Sequence, residues 1–171
     1  MVSPASFLVP FLLFLSLCIT PSIAISEAEK NDICSNSMNP RFCGDFMKAE
    51  QRVASADFAG VAKIGVEVAH SRAKDTLNFL KSLIQKTTDP KVQEVYKSCS
   101  SNYEEAVSVF EEAKKNLSSK NYGGATTTVS AAMDHADSCK DDAQGTDPSL
   151  PERNENLKSL CSIILVVTDR L

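Results

Sequence analysis

The sequence predicts an all-α protein, an up-and-down four-helix bundle carrying an N-terminal helical hairpin. Three observations predict it. Apolar residues recur at alternating steps of three and four along four long stretches, the spacing of helices that bury one face. No alternating Val/Ile/Thr run of the strand type occurs, and glycine is scarce, with 6 in 171 residues. The breaks between the stretches carry cap and proline signals.

Residues 1–24 read as a targeting segment rather than as part of the fold. Met1 to Ala24 contains no charged side chain, carries an apolar run from Phe7 to Thr20, and ends in the small-x-small pattern Ser22-Ile23-Ala24. The run is interrupted by Pro10 and is short of the roughly 20 residues of a membrane span. A cleaved export signal is the expectation, with no membrane association afterwards. The mature chain then holds about 147 residues, one domain's worth. It divides into an N-terminal hairpin, 25–56, and a bundle, 57–171. Lys and Arg number 18 against 22 Asp and Glu, a formal charge of -4. No basic run is present, which argues against nucleic acid as a partner, since phosphate neutralisation needs clustered cations.

The elements follow in order. Ser26 to Ser37 forms a short helix stopped at Asn39-Pro40, because the residue before proline resists helical angles. A second short helix runs from Pro40 or Arg41 to Arg52. Its few apolar residues cannot make a core, so this hairpin must dock on something larger or be mobile. Asp57 caps a helix from Phe58 to Lys86. Asp89 caps the next, with Pro90 at the first helical position, where a missing N–H costs nothing. That helix turns Val92, Tyr96, Cys99, Tyr103, Ala106, Phe110, Ala113 and Leu117 to one side. After the polar break 118–121 the rhythm restarts with Tyr122, Ala125, Val129, Ala132, Ala136 and Cys139. Residues 143–150 form a loop, and Ser149-x-x-Glu152 has capping-box spacing for the last helix, whose stripe is Leu157, Leu160, Ile164, Val167 and Leu171.

Six cysteines occur, and Cys18 leaves with the signal. Five in an exported chain read as two bridges and one spare thiol. Cys99 and Cys139 each lie about twenty residues from the 118–121 break and both face inward, so an antiparallel hairpin brings them to one height, roughly 30 Å from the turn. A bridge there is a geometric expectation. Cys34 and Cys43 flank the Asn39-Pro40 break almost symmetrically and can staple the small hairpin. Cys161 reads as a buried apolar residue, with nothing basic next to it in sequence to lower its pKa. Asn116-Leu117-Ser118 is a glycosylation sequon at the turn.

Catalytic apparatus is not visible. His70 and His135 stand alone and read as solvated helix residues. The sequence has no GxSxG, no HExxH and no phosphate loop. No catalytic residue, metal ligand or cofactor site is therefore expected, and a stapled helical bundle without a site suits a binding protein. For binding, the outward stripes of the central pair of helices hold short polar or acidic side chains. They are Ser101, Glu105, Ser108 and Glu112 on one helix, and Thr126, Ser130, Asp134, Ser138 and Asp141 on the other. Short side chains lose little rotamer entropy on contact.

Several motifs together carry a resemblance. They are Ile33-Cys34 with Asn39-Pro40-x-Phe42-Cys43, Thr88-Asp89-Pro90, Tyr96-x-x-Cys99-x-x-x-Tyr103, Val129-Ser130-Ala131-Ala132-Met133-Asp134 before Cys139, and Asn156-Leu157-x-x-Leu160-Cys161-x-Ile163-x-Leu165-Val166. In this order and spacing the mature chain resembles the plant invertase and pectin methylesterase inhibitors. The resemblance implies a four-helix bundle with an N-terminal hairpin, bridges Cys34–Cys43 and Cys99–Cys139, a free Cys161, and export to the apoplast or cell wall. It also implies stoichiometric binding to a carbohydrate-active enzyme without chemistry of the inhibitor's own. Invertase inhibitors carry Pro-Lys-Phe where this chain reads Lys120-Asn121-Tyr122; the Tyr and the Val-Ser-Ala-Ala run look closer to the esterase inhibitors. The expected partner is a plant pectin methylesterase, one to one; acid invertase, or a partner met by a non-inhibitory protein of the same fold, is the alternative. Carried over by position, the contacts fall on Ser101, Glu105, Ser108, Thr126, Ser138 and Asp141.

Overall fold

The structure, a computed structural model, describes residues 24–142 and 146–171, with the side chains of 140–142 outside that description. Residues 1–23 of the expected export signal, with Cys18, therefore lie outside the described residues. Six α-helices form among the described residues: α1 Glu27–Asn36, α2 Pro40–Ala49, α3 Phe58–Lys86, α4 Pro90–Ser118, α5 Tyr122–Asp142 and α6 Leu150–Thr168. α3 to α6 make the expected bundle. α4 packs between α3 and α5, and α6 closes the ring against α5 and α3.

The caps explain the boundaries. Asp57 Oδ1 accepts the Gly60 N–H at 2.8 Å and Asp89 Oδ1 accepts that of Lys91 at 2.8 Å, as the sequence predicts. Two expectations are corrected. α2 ends at Ala49, not Arg52, and a 3₁₀ turn, Gln51–Ser55, follows. Glu50 ends the helix there and turns its carboxylate onto Arg52, which also reaches Glu67 of α3 at 2.6 Å. Ser149 makes no capping box: its N–H and hydroxyl both donate to Asp147 Oδ1, at 2.9 and 2.6 Å. Asp147 has taken the backbone N–H that Glu152 would have accepted in the box, and Ser149 itself is helical, with φ -86° and ψ -15°, rather than in the extended conformation of an N-cap. The capping box that does form is Ser26 with Glu29, at the start of α1.

The core is a column of apolar side chains between the four long helices. Phe110, Tyr103, Leu80, Leu160 and Val66 are fully buried, and Leu157 and Ile164 nearly so. Small residues set how closely the helices approach. On α5, three of the buried positions are alanine, at 125, 132 and 136. On α3, Gly65 faces Ile164 of α6 so closely that a Cβ would stand 2.7 Å from Ile164 Cγ1. A polar group sits inside this column: the Tyr103 hydroxyl donates to Asn154 Oδ1 at 2.6 Å, both residues being fully buried.

The N-terminal hairpin docks on the bundle. Ile33 and Val53 are fully buried beneath it. The Met38 N–H donates to Ser162 Oγ on α6 at 2.8 Å, and Arg170 after α6 pairs with Asp32 on α1. Cys34 and Cys43 are bridged, as are Cys99 and Cys139; Cys161 is free and buried. Burial pushes the Cys161 thiol up to about 12.

Candidate partner-binding face

α4 and α5 form an antiparallel pair clamped at both ends. At the open end the Cys99–Cys139 bridge holds the two Cα atoms 4.6 Å apart. At the closed end α4 stops in a Schellman turn. Lys120 takes the left-handed conformation, with φ 57°; its N–H donates to Leu117 O at 3.2 Å and that of Asn121 to Asn116 O at 2.8 Å. Asn121 then begins α5, its Oδ1 accepting the Gly124 N–H at 3.1 Å. Along the seam, Asn102 Oδ1 lies 3.4 Å from His135 Nδ1.

The outward side of the pair presents Ser101, Glu105, Ser108 and Glu112 from α4, all exposed. α5 adds Thr127, Asp134 and Ser138, exposed, with Ser130 half-buried beside them. The Ser138 hydroxyl donates to the Asp134 carbonyl at 3.0 Å, so it is held against its own helix. Thr126, an expected contact residue, is not on this side. Its hydroxyl bonds Thr168 of α6 at 3.0 Å and the Tyr122 carbonyl at 3.1 Å, which puts it in the α5–α6 seam. One residue of a helix turns the direction by about 100°, so the outward position is Thr127. The buried set Val129, Ala132 and Ala136 carried that phase and could have located it. The side chain of Asp141 lies outside the described residues.

The carboxylates of α4 and α5 divide sharply. Those on the shoulders are tied to neighbouring helices. Glu104 meets Lys81 of α3 at 2.9 Å, and Asp137 meets Lys158 of α6 at 2.5 Å. Glu111 lies 3.7 Å from Lys74 and 3.6 Å from Lys114. The three on the outward side, Glu105, Glu112 and Asp134, have no ion pair among the described residues. Two open clefts, of about 410 Å³ beside Arg72 and Arg153 and about 460 Å³ between α1 and α2, are lined by other residues.

His70 departs from its expected solvated place. It is 4% exposed in the α3–α4 seam, its Nδ1 against the Lys114 ammonium and its Nε2 3.1 Å from Glu111 Oε1. The Nε2 contact is close but misaligned, and it makes no hydrogen bond. Burial first, and the Lys114 charge second, hold the His70 pKa below its ordinary value. His135 is half-buried. Among the described residues no three His, Cys, Asp or Glu side chains converge to hold a metal, and no helix is long and apolar enough to cross a membrane.

Comparison with known proteins places this geometry. Residues 29–167 match the family model described as plant invertase/pectin methylesterase inhibitor. The chain is 37% identical to pectinesterase inhibitor 1 of Arabidopsis thaliana, over 94% of this chain and 91% of that one. It is 33% identical to the pectinesterase inhibitor of Actinidia deliciosa, over 94% and 89%. A crystal structure of a mutant form of a pectin methylesterase inhibitor from Arabidopsis superposes with a TM-score of 0.79 at 36% identity, over 84% of this chain and 97% of that one. A relative named for fructosidase inhibition, from Arabidopsis thaliana, is more distant, at 26% identity over 94% and 96%.

Proposed function

This chain belongs to the plant invertase/pectin methylesterase inhibitor family, and from that membership we propose that it is an exported protein inhibitor of a plant pectin methylesterase. It acts in the cell wall, without catalysis of its own, by binding the enzyme one to one. The α4–α5 face lies across the enzyme's substrate groove and keeps the polymer out. The observation that supports this reading is the division of carboxylates. Among the described residues Glu105, Glu112 and Asp134 are left without ion pairs on a rigid, doubly clamped surface, while Glu104 and Asp137 beside them are bound to other helices. Unpaired charges on a fixed scaffold are available to an incoming surface at little ordering cost. Ser101, Ser108, Thr127 and Ser138 add small polar contacts, and Asp141 continues the α5 stripe. Thr126, with its hydroxyl bonded to Thr168 of α6, stands at the α6 edge of this set.

The test is a titration of purified mature protein into a plant pectin methylesterase and, separately, into an acid invertase. Suppression of the esterase alone is the expected result. Suppression of the invertase alone, or of neither, refutes the assignment. Glu105→Lys with Asp134→Lys should raise the inhibition constant at least tenfold, about 1.4 kcal/mol. Glu104→Gln, which alters a carboxylate already held by Lys81, should leave it unchanged.

A further inference from the structure

One sequence feature is left over by the inhibitory reading. Asn116-Leu117-Ser118 is the only Asn-x-Ser/Thr sequon in the chain. It sits in the last turn of α4, next to the Schellman turn. Its central residue, Leu117, is anchored against the core. The flanking side chains are tied in a particular way. Asn116 Oδ1 accepts a hydrogen bond from Asn121 Nδ2 at 3.1 Å. The Ser118 hydroxyl donates to the Lys114 carbonyl at 2.8 Å. Among the described residues Asn116 Nδ2 donates to no protein atom, and it is the atom an N-linked sugar would occupy.

We infer that Asn116 carries an N-linked oligosaccharide in the exported protein. The reaction takes place on the unfolded nascent chain. An oligosaccharide carried on a polyprenyl diphosphate is transferred: its C1–O bond to phosphate breaks and a C1–Nδ2 bond to Asn116 forms. Nδ2 gives up one proton, and the polyprenyl diphosphate leaves with the bonding electron pair. The product amide keeps its Oδ1 and one N–H. The cap that joins α4 to α5 therefore survives modification, since Asn121 needs only that oxygen. Gly124 leaves room for the pair: a Cβ there would stand 2.4 Å from Asn121 Nδ2 and 3.0 Å from Asn116 Cγ. Asn116 is half-buried, but its neighbours Lys115, Ser118 and Ser119 are exposed, so a sugar on this nitrogen has solvent beside it at the closed end of the hairpin.

The location also orients the partner, a consequence that rests on the inhibitory reading above. Along α4, Ser108, Glu105 and Ser101 lie about 12, 17 and 22 Å from Asn116 at 1.5 Å per residue. A bulky group at the turn leaves those three positions clear, but it crowds Glu112, only one turn and about 6 Å from Asn116, so the contact is confined to Ser101, Glu105 and Ser108 on α4. The enzyme therefore approaches the bridged end of the face.

The full chain is produced in a eukaryotic secretory host, with its own leader and in parallel with a host leader replacing residues 1–24. The secreted protein is weighed before and after peptide N-glycosidase. The expected result is the mass of one oligosaccharide, removed by the enzyme to leave Asp at 116 and absent from Asn116→Gln. Secreted protein without the added mass overturns the inference. This readout needs no esterase, so it stands or falls apart from the inhibitory reading. For orientation, the glycosylated protein and Asn116→Gln should inhibit equally. A sequon moved to the bridged half, Glu105→Asn with Val107→Thr, should abolish inhibition once occupied, with circular dichroism confirming the helical fold. Inhibition lost through the Asn116 sugar, or retained with the sugar at 105, overturns the orientation.

Discussion

Replacing Cys99 and Cys139 together by alanine should destabilise the protein more than replacing Cys34 and Cys43. The first bridge spans 40 residues of sequence and the second spans 9. A cross-link acts largely on the unfolded chain, whose freedom it removes in proportion to the logarithm of the loop it closes. The same relation gives about 4 kcal/mol for the long loop and about 2.5 kcal/mol for the short one. For a chain of this size each kcal/mol moves the melting temperature by roughly 2–4 °C, so the long-loop variant should melt about 8–16 °C lower. The sulfurs do not reverse the order, because all four cysteines are buried and both pairs lose similar packing. Urea unfolding of the two double variants, followed by far-UV circular dichroism, measures the difference. Equal losses, or a larger loss for Cys34/Cys43, would refute the reasoning. Reducing the long bridge in the intact protein should also weaken inhibition, since the α4 and α5 stripes lose their common register at that end. Full inhibition by protein shown to be reduced would count against that role.

Three further outcomes are expected. Lys120 occupies the left-handed position that glycine fills without cost, so Lys120→Gly should stabilise the protein by about 1 kcal/mol, read as a raised urea midpoint. Gly65→Ala pushes a methyl group into Ile164 Cγ1 and should destabilise by about 1–3 kcal/mol, read in the same way; an unchanged midpoint would mean that α3 and α6 separate freely. His70 has a lowered pKa in the fold, so below about pH 6.5 the unfolded chain binds a proton that the native state refuses. Stability should therefore decline as pH falls through that value, and stop declining once the native imidazole also protonates. His70→Gln should flatten this part of the curve when midpoints at about pH 7.5 and about pH 5 are compared.

Much of the fold was legible because helices announce themselves locally. Asp57, Asp89 and Pro90 mark their helix starts by side-chain chemistry that acts within three residues. Ser149 failed as a cap because the Asp147 turn, two residues earlier, holds its N–H and leaves its backbone already helical, a competition between local motifs that spacing alone does not rank. His70 was misread because a single polar residue on a helix shows nothing of what covers it; Lys114 and Glu111, more than forty positions away, make its surroundings.

Periodicity alone determined the four long helices, their buried stripes and the meeting of Cys99 with Cys139, since a helix of known length and phase puts its inward residues at known heights. Only the packed bundle decided which shoulder of each helix faces a neighbour. That choice placed Thr126 against α6, tied Glu104 and Asp137 to lysines of adjoining helices, and left Glu105, Glu112 and Asp134 without ion-pair partners among the described residues. The physical reason is that a helix carries its own phase, whereas the pairing of a surface charge depends on a second helix distant in sequence.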